Sequence, residues 1–188
     1  MLSLLLLLLT SPVLASQEGS AQMSEHHRLH EEMGRLATKR AWVGVERTWQ
    51  ALLETGVEPT DDDRIVAAHA ALERGDLAVA RERLLVVAGR SENRDVIETL
   101  YRIDHDYGHV TLSGETELVK ETKPFLPEAE AAAALGSTTL AATGAFEGFL
   151  PPGRYRFGLD IIEVEAGASL DLKLAPRSRR DKRRLGTW

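Results

Sequence analysis

Apolar side chains in the N-terminal half of the chain recur every three or four residues, which is the spacing of one helical face. Several of these stretches end at or near a glycine or proline, notably Gly56, Pro59, Gly75 and Gly89. Such residues favour helix ends and turns. The pattern predicts five helices. They are residues 25–39, a second helix from Trp42 that Gly56 ends, a third that Thr60–Asp63 opens and the turn at Arg74–Asp76 follows, and residues 77–88 and 93–106. Helices of similar length joined by short turns are typical of stacked antiparallel hairpins.

The period changes to two at Gly108, where an alternation of apolar and polar residues begins that is typical of strands. Strands are predicted over residues 109–113, 116–120, 138–143, 145–150, 155–158, 161–165 and 169–174. The alanine-rich stretch Glu128–Leu135 predicts a short helix or a compact crossing, which Gly136 ends. Short strands separated by turns such as Pro151–Gly153 predict a small antiparallel β-sandwich or open barrel. The expected fold class is α+β, with N-terminal antiparallel helical hairpins followed by a small antiparallel β-sandwich.

The first fifteen residues carry no charged side chain and include the unbroken leucine run Leu4–Leu9. A short apolar core followed by small residues predicts a secretory signal peptide, cleaved after Ala15. The run is far shorter than the roughly 20 residues that a membrane-spanning helix needs. The chain has no cysteine, so it has no disulfide, no thiolate zinc site and no lipid-modified cysteine. Together these features favour an exported, periplasmic bacterial protein, with a polar linker over residues 16–24.

The formal net charge of −6 is unevenly distributed along the chain. The segment Arg177–Arg184 holds six basic and one acidic side chains, so the rest of the chain is more acidic than the total suggests. We expect a disordered, solubilising basic tail over residues 177–188. A weak contact with an anionic surface and a fold-back onto the acidic helices are the alternatives. The lack of interleaved aromatic residues and the exported location argue against a nucleic-acid partner.

The third and fourth predicted helices, residues 61–92, resemble a tetratricopeptide repeat. Ala68 occupies the small position of the first helix, Gly75 lies at the usual turn, and Ala80 and Leu84 match the small and large apolar positions of the second helix. The preceding hairpin, residues 25–57, resembles a degenerate repeat. The resemblance implies a concave surface for a partner peptide or protein. A generic bundle of helical hairpins is the alternative.

The segment Gly148–Gly158 resembles the signature turn of the PEGA domain and of related carboxypeptidase-regulatory-like β-sandwiches. An apolar residue, proline, glycine and an aromatic strand follow one another here, and Ile162, Val164, Gly167 and Leu170–Leu174 continue the pattern. The resemblance covers roughly residues 108–175. It implies a non-enzymatic accessory or adhesion-like module, often joined to tetratricopeptide repeats in exported bacterial proteins. Two hairpins are few for independent stability, so we expect the helices to dock on the β-rich part or on a partner.

Two groups of histidines are candidate metal ligands. His26 and His30 have the four-residue spacing of helical ligands, and His27 and Glu31 adjoin them, but a solvated surface at the start of the first helix is the favoured interpretation. His105, Asp106 and His109 flank the helix-to-strand junction, and here too a surface cluster is favoured. Asp61–Asp63 are explained by a helix N-terminus that Thr60 caps. Trp42 and Trp49 lie on one helical face and are interpreted as core or groove residues.

No catalytic, cofactor-binding or metal-binding residue is therefore assigned. The predicted organisation is a signal peptide (1–15), a linker (16–24), a helical domain (25–107), a β-sandwich (108–176) and the tail (177–188). The predicted function is non-enzymatic protein binding or scaffolding in the bacterial cell envelope, with a protein or peptide partner and no indication of oligomeric state. The alternatives are a metal-dependent enzyme using His105 and His109, and a membrane-surface protein acting through the basic tail.

Overall fold

The computed structural model describes residues 12–114 and 116–173. Within these residues the protein is α+β, with six helices and two small three-stranded sheets. The helices are α1 (Pro12–Thr38), α2 (Trp42–Glu54), α3 (Asp61–Glu73), α4 (Leu77–Ala88), α5 (Arg94–Asp106) and α6 (Pro127–Thr143). The strands are β1 (Gly108–Ser113), β2 (Leu118–Lys120), β3 (Ala145–Leu150), β4 (Gly153–Phe157), β5 (Asp160–Val164) and β6 (Ser169–Lys173).

The chain forms two compact units, which meet in sequence at Asp63 and Arg64. The predicted boundary at residues 107 and 108 therefore lies inside the second unit. In the first unit α2 packs against α1. The contact is close at Gly44, because a Cβ added there would lie 3.2 Å from a methyl of Leu36. Helix α1 begins at Pro12, so the predicted linker over residues 16–24 is helical. The predicted leader lies mostly outside the described residues, since the first eleven residues are not described.

The second unit places helices α3, α4 and α5 in one apolar core with α6. This core contains Ala68, Ala71, Leu77, Ala80, Leu84, Val87, Val96, Leu100, Ile103, Tyr107, Ala129 and Ala132. The turn between α3 and α4 approaches α6 closely, because a Cβ on Gly75 would lie 2.3 Å from the backbone carbon of Ala131. Gly75 also has the left-handed φ of +78° that glycine adopts most readily. These helices are therefore joined to the β-rich part of the chain.

The strands form two sheets that share a second apolar core. In sheet A the order is β3–β1–β6, and in sheet B it is β2–β4–β5. Both sheets and α6 contribute to this core, which contains Val110, Leu112, Leu118, Leu140, Phe146, Leu150, Tyr155, Phe157, Ile162 and Val164. Sheet B is antiparallel, but β6 runs parallel to β1. Sheet A is therefore mixed, and the predicted all-antiparallel arrangement is wrong.

Helix α6 differs most from the sequence prediction. It continues through Gly136 and ends at Thr143, so residues 138–143 are helical and the strand predicted there is wrong. Gly136 faces strand β3, because a Cβ at this position would lie 2.7 Å from a methyl of Leu150. The missing side chain allows close helix–sheet packing here, and the cost of glycine in helix propensity is only about 1 kcal/mol. The helix ends instead at Gly144, whose φ is +71°.

The predicted turn at Pro151–Gly153 is present and joins β3 to β4. The hydroxyl of Tyr155 donates a hydrogen bond of 2.7 Å to the carbonyl oxygen of Pro151. The ammonium group of Lys120 donates one of 2.6 Å to the carbonyl of Pro152, and it lies 4.5 Å from the centroid of the Tyr155 ring. Burial raises the pKa of Tyr155 and lowers that of Lys120. The two carbonyl groups of this turn are thus bound by side chains from β4 and β2.

Candidate functional site

A groove of about 500 Å³ lies in the second unit, between helix α4, the end of α5 and sheet A. Helix α4 and the end of α5 form one side of it, and the ends of β1, β3 and β6 form the other. Its lining residues are Ala78, Arg81, Glu82, Leu85, Asp104, Tyr107, His109, Phe149, Gly167, Ala168 and Ser169. We call this feature the helix–sheet groove.

The register of sheet A determines which side chains face the groove. Phe149, His109 and Ser169 lie opposite one another on the three strands, and all three line the groove. Side chains alternate between the faces of a sheet, so the next row on the same face is Glu147, Thr111 and Asp171. The intervening residues of β1, Val110 and Leu112, are buried in the core. We call the surface formed by these two outward rows the outer face of sheet A.

The groove combines an apolar part with polar edges. The ring of His109 is half-buried and packs edge-on against Phe149, with the ring centroids 5.2 Å apart. Leu85 contributes a side chain that is 45% exposed. Tyr107 is buried, and this burial, together with the negative charge of Glu128, raises the pKa of its phenol. An apolar surface flanked by polar groups is typical of sites that bind polypeptides or other organic ligands.

An ion pair between α4 and α5 fixes the helical side of the groove. The guanidinium of Arg81 donates hydrogen bonds of 2.6 Å and 3.2 Å to the two carboxylate oxygens of Asp104. The hydrogen bond from Arg81 to Asp104 raises the pKa of Arg81. Because the two charges compensate each other, Glu82 is the uncompensated charge on this side of the groove among the residues that line it.

Strand β6 is an edge strand within the described part of the chain. The amide of His109 donates a hydrogen bond of 2.9 Å to the carbonyl of Ala168, so the backbone polar groups of Ala168 point towards β1. Backbone groups alternate in direction along a strand, which turns those of Ser169 and Asp171 away from β1. These groups are available to pair with an added strand.

The structure does not bring His105, Asp106 and His109 together as a metal site. The Nδ1 of His105 donates a hydrogen bond of 2.9 Å to the carbonyl of Tyr101, and the two rings stack 3.8 Å apart. Asp106 is exposed, whereas His109 lies in the groove. Over residues 12–114 and 116–173, no group of three or more histidine, aspartate or glutamate side chains is placed to hold a metal ion.

The N-terminal histidines lie well inside helix α1 and not at its start. His26 is only 7% exposed, and its Nε2 has no hydrogen-bond partner among the described residues. The solvated surface predicted for this segment is therefore wrong for His26, although His27 is exposed and pairs with Glu31 at 3.3 Å. His30 places its Nδ1 2.6 Å from a carboxylate oxygen of Asp63.

Asp63 is the most deeply buried charged residue among the described residues of the first unit, with an exposed fraction of 0%. One of its carboxylate oxygens accepts hydrogen bonds from the amide and the hydroxyl of Thr60, at 2.9 Å and 2.7 Å. The Thr60 hydroxyl in turn accepts one from the Asp63 amide, which completes a reciprocal helix cap. Burial alone raises the pKa of Asp63, but the bonds from Thr60 and His30 outweigh it and hold the pKa below the usual value.

The sequence predicts the cap at Thr60 but not the partnership between His30 and Asp63. The latter joins residues 33 positions apart, and no local pattern indicates it. Trp49 is buried, as its helical spacing predicts, and Trp42 is half-buried. The basic segment predicted as a tail lies outside the described residues.

Comparison of the chain with known protein families, with curated proteins and with solved structures gives no match. No helix of the described residues is both long enough and apolar enough to cross a membrane.

Proposed function

We propose that this protein is a non-enzymatic binding or scaffolding protein that holds an extended segment of a partner polypeptide in the helix–sheet groove. The observation that carries the proposal is the edge of β6, which pairs with no other described strand, borders the groove at Ser169 and presents the backbone groups of Ser169 and Asp171. An extended peptide adds to such an edge through main-chain hydrogen bonds, while pockets beside the edge select its side chains.

The groove supplies the contacts that such a peptide needs. Ser169 on β6 and His109 on the neighbouring β1 provide the polar groups nearest to an added strand, and Leu85 and Phe149 provide apolar surface in the groove beyond them. Main-chain pairing gives affinity for any extended segment, and this apolar surface gives preference for some of them. Binding a peptide in this way requires no catalytic group.

We further propose that α3 and α4 form a tetratricopeptide-like hairpin and that the two sheets form a PEGA-like sandwich of an envelope protein. The buried small residues Ala68 and Ala80 and the left-handed turn at Gly75 support the first assignment. The turn at Pro151–Gly153 before the aromatic strand β4 supports the second. The uncharged, leucine-rich leader supports export to the periplasm.

Substitution of Asp171 by proline tests the proposal. Proline removes the outward amide of β6 without removing a bond to β1, and edge strands tolerate it. Peptides selected from a display library on the full chain should bind Asp171→Pro at least about 10-fold more weakly than the wild type, because one main-chain hydrogen bond and its geometry are lost. Titration calorimetry measures the change in Kd.

The matched control is Asp171→Ala, which removes the carboxylate and keeps the amide. It should change Kd less than Asp171→Pro does. A third variant, Leu85→Glu, places a charge in the apolar part of the groove and should also weaken binding. Selected peptides that bind Asp171→Pro and Leu85→Glu as tightly as the wild type would show that the groove is not the binding site.

A further inference from the structure

The second row of the outer face of sheet A is acidic, and its carboxylates have no ion-pair partner in the described part of the chain. Glu147 and Asp171 flank Thr111 in the second row, and Glu82 lies on the helical side of the groove. None of these three carboxylates forms an ion pair with another described residue, and Glu147 and Asp171 are exposed. Lys173 is the one basic side chain in the adjoining row of this face.

A basic segment of the same chain begins a few residues beyond this face. Strand β6 ends at Lys173, and Arg177–Arg184 with its six basic and one acidic side chains follows. Going back from Lys173 to Ser169 along the face covers about 13 Å, at roughly 3.3 Å per residue. The residues from Lys173 to Arg184 can span more than about 30 Å when extended. The basic segment is thus long enough to return over the whole acidic face.

We propose that Arg177–Arg184 is the occupant of the outer face of sheet A, where its arginines pair with Glu147, Asp171 and Glu82. Opposite charge and covalent proximity both favour this contact, because a tethered segment binds at an effective concentration in the millimolar range. Arginine is suited to the role because its guanidinium can bind a carboxylate through two parallel hydrogen bonds.

This contact would regulate the binding site, and in that respect it rests on the proposed function. A partner peptide that adds to the edge of β6 must displace the basic segment from the same surface. Salt weakens the contact, since both charged groups lie at the surface and are screened within about 10 Å at 0.1 M ionic strength. The protein would therefore bind partners more readily when the basic segment is neutralised or screened.

A pair of introduced cysteines tests the contact in the full chain, which has no cysteine of its own. Thr111→Cys lies at the centre of the acidic row, and Ser178→Cys lies in the basic segment. The matched control combines Ser178→Cys with Glu163→Cys, an exposed position on β5 of sheet B. On oxidation with diamide, the Thr111→Cys, Ser178→Cys variant should form its internal disulfide at least about 10-fold faster than the control variant, because the contact raises the local thiol concentration. Non-reducing gels measure the two rates.

Reversing the charges of the face in the same protein, through Glu147→Lys and Asp171→Lys, should remove the difference in rate, and so should about 1 M salt. Circular dichroism checks that the variants remain folded. The salt series tests the charge contact independently, without any charge-reversing substitution. Equal rates for the two cysteine pairs would overturn the proposal. A disulfide-linked dimer, formed at a rate that rises with protein concentration, would overturn it in favour of a second copy of the chain. Neither result depends on a partner peptide, so this contact and the proposed function are tested separately.

Discussion

Asp63 shows how one buried carboxylate serves two structural roles at once. Its side chain completes the cap of α3 with Thr60, and it also accepts a hydrogen bond from His30 on α1. A buried charge is costly unless it is hydrogen-bonded, and here both oxygens have partners. The residue therefore fixes the first turn of α3 and connects that turn to α1.

Replacement of Asp63 by asparagine should destabilise the protein by about 1–3 kcal/mol, since the charged hydrogen bonds with Thr60 and His30 are lost or weakened. Chemical denaturation at pH 7 measures the loss. The control is Asp62→Asn, which changes a carboxylate in the same helical turn that is not buried and should have little effect. Equal losses for the two variants would contradict the role assigned to Asp63.

The same residue gives the stability a defined dependence on pH. The pKa of Asp63 is lower in the folded protein than in the unfolded chain, so its contribution is complete above the unfolded value of about 3.9. It is lost as the pH falls through the lower, folded value. The difference in stability between the wild type and Asp63→Asn should thus shrink below about pH 4, which denaturation at a series of pH values measures.

In the second unit, the turn between α3 and α4 lies so close to the backbone of α6 that only glycine fits at position 75. Gly75 combines a left-handed backbone with an approach to the α6 backbone that leaves no room for a side chain. Gly56, which follows α2, has a similar φ of +73°, but no atom lies within 4 Å of its would-be Cβ. Comparing substitutions at the two glycines therefore separates the cost of a left-handed backbone from the cost of a clash with neighbouring atoms.

Gly75→Ala should cost more stability than Gly56→Ala. Both variants incur the left-handed strain of about 1–2 kcal/mol, and Gly75→Ala adds a clash with the backbone of Ala131 that we expect to cost roughly 1–3 kcal/mol more. Thermal unfolding of the two variants measures the difference. Similar losses of stability would show that the α3–α4 turn does not need its close approach to α6.

The sequence predicts helices and strands most accurately where the local residue pattern alone determines the structure. Helices α3 to α5 and strand β3 lie close to their predicted bounds, because caps, glycines and periodicity all act locally there. The segment Thr138–Thr143 resembles a strand because its threonines are β-branched, yet its packing beside β3 makes it helical. The groove could not be foreseen, because it depends on β6 pairing with β1.

In the molecule as a whole, helix α3 from Arg64 onward, helices α4 and α5 and the two sheets belong to one compact unit. Helix α6 contributes Ala129 and Ala132 to the helical core and Leu140 to the sheet core. A helix that belongs to both cores couples their unfolding. The expectation that the helices dock on the β-rich part is met for α3 to α5.

Native-state hydrogen exchange should therefore give similar free energies of opening for core amides of the helices and of the sheets. The amides of Leu84 and Ile103 report on the helices, and those of Leu150 and Tyr155 on the sheets. Cooperative units exchange together when their cores are shared. Loss of protection in the helices at a denaturant concentration that leaves the sheets protected would contradict this coupling.

The pairing of β1 with β6 also has a consequence for how the protein folds. The central strand of sheet A pairs with a strand far along the chain, since His109 lies opposite Ser169. Contacts of such high sequence separation raise the contact order, and they slow folding because a long loop must close first. During synthesis the helices can therefore form early, whereas sheet A and its groove are completed only after the last described strand has been made.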